Sequence, residues 1–330
     1  MSMIKRGVSL YSYQQEYYLR QMNFEDCIRA VADMGADGVE IISEAMIENF
    51  PDPSQEWVDN WFALLKKYNC VPTCYDAFMD GRIRGEEMIS DDEAVQQMER
   101  DIRLAKRLGF KTIRVLCAVP LRIIERTLPL AEKLDIILGI EVHSPFRLAT
   151  PWLDEYIDFI KRTGTKHFGI IPDFGIFVKR PVRILVRKHL RAGATPEIVD
   201  YVCQCYENNV PSEEMLAKVN TMNPNSEDLF WANEAYHYTY CDPKLLAQYI
   251  PYIVHIHGKM YEMTLEDGQW DEYSIPNREI IQVLKDNGWE GYICTEYEGQ
   301  RHYHDMEDFD VDSVEQVKHH HEMLARYIGE

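Results

Sequence analysis

The sequence predicts an α/β fold, a (β/α)8 TIM barrel with an enlarged helical insertion between its sixth and seventh strands. Three observations predict it. Short β-rich apolar runs recur eight times along the 330 residues, with helical text between them. Four runs in the second half turn polar at their ends: Gly139-Ile140-Glu141-Val142-His143, Ile170-Ile171-Pro172-Asp173, Ile253-Val254-His255-Ile256-His257 and Ile293-Cys294-Thr295-Glu296-Tyr297-Glu298. In a closed parallel barrel such ends converge on one point. One connection, 176–249, is much longer than the rest.

The predicted strands are 7–13, 37–42, 71–76, 112–119, 136–143, 167–173, 251–257 and 291–296. After the first, Asn23 caps a helix with Asp26 three places on, and Gly35 stops it. Asn49 to Ser54 carries two prolines and is expected over the barrel mouth. Ser90 precedes Asp91, Asp92 and Glu93, acids that favour a first helical turn, and this helix runs to Arg107 and ends at Gly109. Within 176–249, helices are expected near 181–191 and 196–207, followed by polar text through Asn220, Asn223, Pro224 and Asn225. An aromatic stretch follows, from Phe230 and Trp231 to Tyr236, His237, Tyr238 and Tyr240. So long a structureless loop is unusual, which predicts a helical lid or subunit-contact region. The last helices are read from Asn277 to Gly288 and from Val311 to Ile328. The whole chain, 1–330, is expected to be one barrel domain carrying that insertion.

A hydrophobic content of 46% supports a substantial core, and a net charge of −20 opposes binding a polyanion. Nucleic acid is therefore not an expected partner. Arg180, Arg183, Arg187, Lys188 and Arg191 form the one dense basic run, read as a solvated helix face. The N-terminus, Met1-Ser2-Met3-Ile4-Lys5-Arg6-Gly7, is too polar and short for a signal peptide, and no apolar run is long enough to cross a bilayer. Cys27, Cys70, Cys74, Cys117, Cys203, Cys205, Cys241 and Cys294 form no disulfide framework and no paired zinc motif, which suits the cytoplasm. Gly81-Arg82-Ile83-Arg84-Gly85 lacks the spacing that cradles a pyrophosphate, so no dinucleotide cofactor is expected.

Alternate side chains of a strand share a face. Glu141 and His143 therefore point together, as do His255 with His257 and Glu296 with Glu298. One member of each pair can reach a central ion while the other meets substrate. Asp173 follows Pro172, which suits a strand end because proline cannot donate to a ladder. Carboxylates and imidazole together fit a divalent ion of intermediate hardness, manganese first, with magnesium, cobalt, iron or zinc also compatible.

On these motifs the chain resembles the xylose-isomerase-like barrels, a group of sugar isomerases, epimerases and related enzymes, over almost its full length. The resemblance implies a metal held by Glu141 in GIEVHSP, Asp173 in IIPDFG, His257 in IVHIHGK and Glu296 in YICTEYEG. Related sugar epimerases carry a histidine shortly after the second ligand. Here Asp173-Phe174-Gly175-Ile176-Phe177 has none, which puts ordinary ketose epimerisation in doubt. His143, two places after the first ligand and on its face, is well suited to moving a carbon-bound proton.

A divalent ion polarises a carbonyl, making the proton alpha to it removable by His143 or by a carboxylate such as Glu141 or Glu296. Returning the proton elsewhere gives an isomer or epimer, whereas expelling a group from the β carbon gives elimination. The chain length, the EVHSP segment and the enlarged insertion resemble the alpha subunit of bacterial C-glycoside deglycosidases. That resemblance implies cleavage of a carbon–carbon bond in 3-oxo-C-glycosides of plant polyphenols, a smaller beta subunit and a hetero-oligomer. It also places Phe230, Trp231, Tyr236 and Tyr238 beside the aglycone or the subunit contact. Elimination is the first expectation. A divalent-metal-dependent sugar isomerase or epimerase, like a ketose 3-epimerase or an inosose or hydroxypyruvate isomerase, is the alternative.

Tyr11, His255, Lys259 and Arg301 are the expected substrate contacts. Each has a plainer reading: packing for Tyr11 and Tyr13, support of His257 for His255, and solvent exposure for Lys259. Tyr75, Asp76 and Asp80 end the third strand with the same ambiguity. Of Arg301, His302 and His304, one is expected at the mouth. The rival classes are a metal-dependent endonuclease, which the acidic charge opposes, and a non-enzymatic barrel in which His143 is replaceable.

Overall fold

Glycine, β-branched and aliphatic residues dominate eight short segments, and these become the barrel: β1 (Ile4–Ser9), β2 (Gly38–Ile42), β3 (Val71–Ala77), β4 (Thr112–Val115), β5 (Ile137–Val142), β6 (Phe168–Pro172), β7 (Ile256–Met260) and β8 (Gly291–Tyr297). The computed structural model describes residues 4–79, 81–84, 87–238, 240–306 and 311–330; Asp80 lies outside them. All eight strands are parallel, in the order β6-β5-β4-β3-β2-β1-β8-β7. The ring closes between β6 and β7 through two isolated parallel bridges, Ile170↔Ile253 and Asp173↔His257. At this seam Gly169 is obligatory in size. A Cβ there would lie 2.6 Å from Tyr252 O and 2.3 Å from Val254, so any side chain would push the returning chain away.

The main outer helices are α1 (Phe24–Asp33), α2 (Gln55–Tyr68), α3 (Asp91–Arg107), α4 (Leu121–Leu134), α5 (Pro151–Thr163), α10 (Asn277–Asp286) and α11 (Ser313–Ile328). Reciprocal capping bonds start α1 at Asn23 and Asp26, and α3 at Ser90 and Glu93, as the sequence predicts. Asn69 and Asp135, both left-handed, stop α2 and α4. The apolar faces of these helices cover the strands. Trp61 is fully buried and also donates from Nε1 to Leu108 O at 3.0 Å, which ties α2 to the end of α3. Truncating such a core tryptophan costs about 3–5 kcal/mol.

Between β6 and β7 lie α6 (Arg183–Arg191), α7 (Pro196–Glu207), α8 (Ser212–Val219) and α9 (Ser226–Ala235), the expected helical insertion. His189 is buried and bridges α6 to α9. Its Nδ1 lies 2.6 Å from Glu227 Oε1 and its Nε2 lies 2.6 Å from Glu234 Oε2. Two carboxylates can be served by both ring nitrogens only if both carry protons, so this ring is an imidazolium.

Several sequence expectations change. The first strand is not 7–13. It starts at Ile4, and the chain turns at Leu10 into a 3-10 helix, so that Ser12 Oγ donates to Thr295 O and accepts from Tyr297 N. The seventh strand is not 251–257, because Pro251 sits in a 3-10 turn, Ile253 makes a single isolated bridge, and the continuous ladder begins only at Ile256. The fourth ends at Val115, four residues early. Asn49 to Ser54 lies along α3 rather than over the mouth, with Arg107 donating to Pro53 O at 3.0 Å and Arg100 5.0 Å from the Phe50 ring centre. The basic run is not simply solvated. Arg183 and Arg187 pair with Glu262, Arg191 pairs with Asp305, and Arg180 and Arg183 stack on Tyr273. Four of the five basic residues of this run are thus engaged by carboxylates or by a ring among the described residues.

Candidate metal centre

Each of the last four barrel strands delivers one donor to a common point. Glu141 is the fifth residue of β5, Asp173 follows β6, His257 is the second residue of β7, and Glu296 is the sixth of β8. One ligand atom from each lies within 4.8 Å of the others, and all four residues are buried. His257 Nδ1 is 2.9 Å from Glu141 Oε1 and 3.5 Å from Glu296 Oε2. Three carboxylates and an imidazole from separate strands, withdrawn from water, form a donor set that fits a divalent ion of intermediate hardness. A charge-dense cluster of this kind is stable only if cations answer it.

Those cations are protein groups. Lys259 Nζ lies 2.7 Å from Glu296 Oε2, 3.1 Å from Asp173 Oδ2 and 3.1 Å from Glu298 Oε1, with its side chain only 1% exposed. Arg114 Nε lies 3.3 Å from Asp76 Oδ1 and 4.0 Å from Glu141 Oε2. Burial alone would raise the Glu141 carboxyl, but Arg114 and His257 outweigh it and hold it at about 2. For Asp173 burial wins over Lys259 and His143, and the carboxyl rises to about 6. Burial also works against the Lys259 ammonium, yet Asp173, Glu296 and Glu298 push its pKa well above the ordinary value.

A cleft of ≈ 390 Å³ reaches this cluster from solvent, and Tyr11, Arg114, Glu141, His143, Lys259 and Glu296 all line it. His143 has a definite polarity there. Its Nδ1 lies 2.7 Å from Ser144 O, a carbonyl that can only accept, so Nδ1 carries the proton and Nε2 the lone pair in the neutral ring. Burial disfavours the charged ring, but Asp173 and Glu141 more than offset it, and the pKa is raised.

The structure thus brings Glu141, His143, Asp173, His257, Lys259, Glu296 and Tyr11 together and separates the rest. Lys259 is buried rather than solvent-facing, because the late start of β7 puts it inside the strand. His255 is buried away from the cleft, its Nε2 2.6 Å from Glu40 Oε2. Arg301 reaches Glu298 at 3.4 Å at the rim, whereas His302 is buried and His304 lies 3.4 Å from Gln15. Tyr13 is core, and Tyr75 donates to Asp101 at 3.1 Å, so neither is placed for substrate. Asp76 pairs with Arg114 below the mouth. The insertion's aromatics mostly do not face the centre. Trp231 packs on His189, Phe230 is exposed beside it, and Tyr236 donates to Val210 O. Tyr238 packs edge-on against Tyr261. Where related epimerases carry a histidine, Phe174 and Phe177 pack on each other in a buried turn.

Two buried residues escaped the sequence reading, Glu40 in Gly38-Val39-Glu40-Ile41-Ile42 and Arg114 in Thr112-Ile113-Arg114-Val115. A charge inside so short an apolar strand was the signal, since such residues are almost never buried unless paired.

Comparison with known proteins agrees with this geometry. The xylose isomerase-like TIM barrel family matches residues 28–181. The chain is 27% identical over 346 residues to the 3'-dehydrocarminate deglycosidase alpha subunit of Microbacterium sp., spanning 100% of this chain and 97% of that one. It is also 27% identical over 329 residues to a C-glycoside deglycosidase alpha subunit of Arthrobacter globiformis, spanning 94% and 89%. Among solved structures, an L-ribulose 3-epimerase superposes with a TM-score of 0.56 at 12% identity, covering 99% of this chain and 95% of that one. A 3-keto-D-glucoside 4-epimerase from E. coli does so at 0.51 and 14%, covering 98% and 99%. Strand order and converging donors make this chain an eight-stranded parallel barrel with a candidate metal site, similar over residues 28–181 to the xylose isomerase-like TIM barrels and over its full length to C-glycoside deglycosidase alpha subunits.

Proposed function

We propose that this chain is a metal-dependent sugar-modifying enzyme of the isomerase or epimerase type, which removes the proton alpha to a sugar carbonyl and returns it. The observation that carries this reading is the shared cleft: Glu141 and Glu296, two of the four converging donors, line it together with His143 and Lys259. Glu141, Asp173, His257 and Glu296 would hold the ion, manganese by preference. When bound, such an ion polarises the carbonyl and stabilises the negative charge that develops on its oxygen.

The protein's own groups do the rest. His143 Nε2 takes the proton from carbon, and the Ser144 carbonyl keeps Nδ1–H oriented while the ring is charged. Return of the proton to the neighbouring carbon gives an isomer, and return to the other face gives an epimer. Glu141 on β5 and Glu296 on β8, with two strands between them around the ring, offer carboxylates for that second transfer. Lys259 and Tyr11, which line the cleft, would bind sugar oxygens, with Arg301 a further contact through its position beside Glu298.

Elimination from a 3-oxo-C-glycoside is the second reading, and the full-length relatives favour it because both bear the name of deglycosidase alpha subunits. It would add a smaller beta subunit in a hetero-oligomer. The first step is the same in both readings. Isomerisation or epimerisation stands first because Phe230, Trp231 and Tyr236, the expected aglycone platform, are turned to other tasks. Incubating the metal-loaded protein in D2O with a ketose and with a 3-oxo-C-glucoside separates them. Deuterium at the alpha carbon without aglycone release supports the first reading, and aglycone release selects the second. If chelation or His143→Asn leaves both signals intact, neither reading stands.

A further inference from the structure

Beneath the metal centre lies a second layer of buried polar groups that the proposed chemistry does not use. Glu40 stands in the middle of β2, its side chain 0% exposed. A carboxylate in the core of a barrel is expensive unless it is held on both oxygens. One oxygen, Oε2, is bound by His255 Nε2 at 2.6 Å. The other, Oε1, faces His257 Nε2 at 3.3 Å. His257 turns its opposite ring nitrogen, Nδ1, to Glu141 and Glu296. The imidazole therefore spans the two layers, with one edge toward the ligand carboxylates and the other toward Glu40.

We propose that Glu40 is a positioning residue of the metal centre: it fixes the His257 ring from the Nε2 side, so that Nδ1 is presented to the ion, and His255 in turn anchors Glu40. The proposal rests on the reading of Glu141, Asp173, His257 and Glu296 as metal ligands. A ligating imidazole has one nitrogen for the ion, and its other N–H needs an acceptor that sets the ring's tautomer and angle. The buried Cys74 thiol also lies against His257, but sulfur is a weak acceptor. Glu40 is an anionic acceptor, and the bond from His255 limits its freedom to turn away. The group Glu40, His255 and Cys294 also converges within 4.8 Å. Within it the 2.6 Å bond between His255 and Glu40 joins their facing atoms.

The test is a Mn2+ titration of the metal-stripped protein against a chromogenic chelator. Wild type is compared with Glu40→Gln, which keeps the shape, with Glu40→Ala, and with Asp101→Asn. Asp101 is a buried carboxylate elsewhere, bonded to Tyr75. The expected result is a loss of affinity of about 10- to 100-fold in both Glu40 variants and none in Asp101→Asn, whatever each does to the melting temperature. The Co2+-loaded form of Glu40→Gln should show a shifted visible spectrum, because the His257 ligand is no longer held at its angle. If Glu40→Ala does not fold, the isosteric Glu40→Gln decides. Affinity and spectrum within about twofold of wild type in Glu40→Gln would overturn the positioning role and leave the metal reading intact, given the magnitude a supporting carboxylate normally contributes. Failure of the wild type to bind Mn2+ would overturn both.

Discussion

Lys259→Met replaces a buried ammonium by a side chain of similar length and leaves Asp173, Glu296 and Glu298 without the cation that lies 2.7–3.1 Å from each. Removing one partner from a buried ion pair costs about 3–5 kcal/mol, because the remaining charge is stranded out of water. The unfolding entropy of a chain of 330 residues is about 0.7 kcal/mol/K at roughly 2.1 cal/mol/K per residue. The metal-stripped variant should therefore melt about 4–7 °C below the metal-stripped wild type. Differential scanning calorimetry after chelation measures this directly. With excess Mn2+ the gap should narrow, since an ion among the same carboxylates replaces the lost positive charge. A chelated variant that melts with the wild type would refute the reasoning, because the carboxylates would then have to be neutral or hydrated without Lys259.

His143→Asn should slow deuterium exchange into substrate by about 10²–10⁴-fold, the usual contribution of a positioned general base, while Mn2+ affinity stays near wild type. An equal loss of metal binding would make His143 a ligand instead. For His189, burial opposes the charged ring but Glu234 and Glu227 outweigh it, so the folded pKa is raised above the unfolded value near 6.5. The stabilisation is then complete below about pH 6.5 and is lost as pH rises through the folded pKa. His189→Gln should accordingly lower the melting temperature most at mildly acidic pH, with the difference shrinking under alkaline conditions. A difference that grows with pH would mean that the ring is neutral between its two carboxylates.

Strand-end chemistry was legible before the fold because buried parallel strands leave continuous apolar text, and a barrel has one place for the acids that end it. Glu141, Asp173, His257 and Glu296 meet where that reasoning puts them. Boundaries were less legible. Nothing in Ile253-Val254-His255 reveals that the continuous ladder waits until Ile256, and that delay is what carries Lys259 inside. Glu40 and Arg114 were hidden by their neighbours: a mostly apolar run around one charge reads as a strand, and the partner lies far off in sequence. The insertion's helices were visible, but its aromatics could not be assigned to a face. Trp231 points at His189 only because α6 and α9 are drawn together by an imidazolium that sequence spacing does not display.

The barrel's weakest circumferential joint is also where its chemistry sits. β6 and β7 meet through isolated bridges, and one of these joins Asp173 to His257, a carboxylate and an imidazole of the same donor set. An ion held by that pair would tie the joint together as well as serve the chemistry. The large insertion leaves the ring after one of these strands and returns before the other. In a ring with continuous ladders everywhere, an ion would add nothing to closure; here it would supply part of the joint that the backbone leaves open.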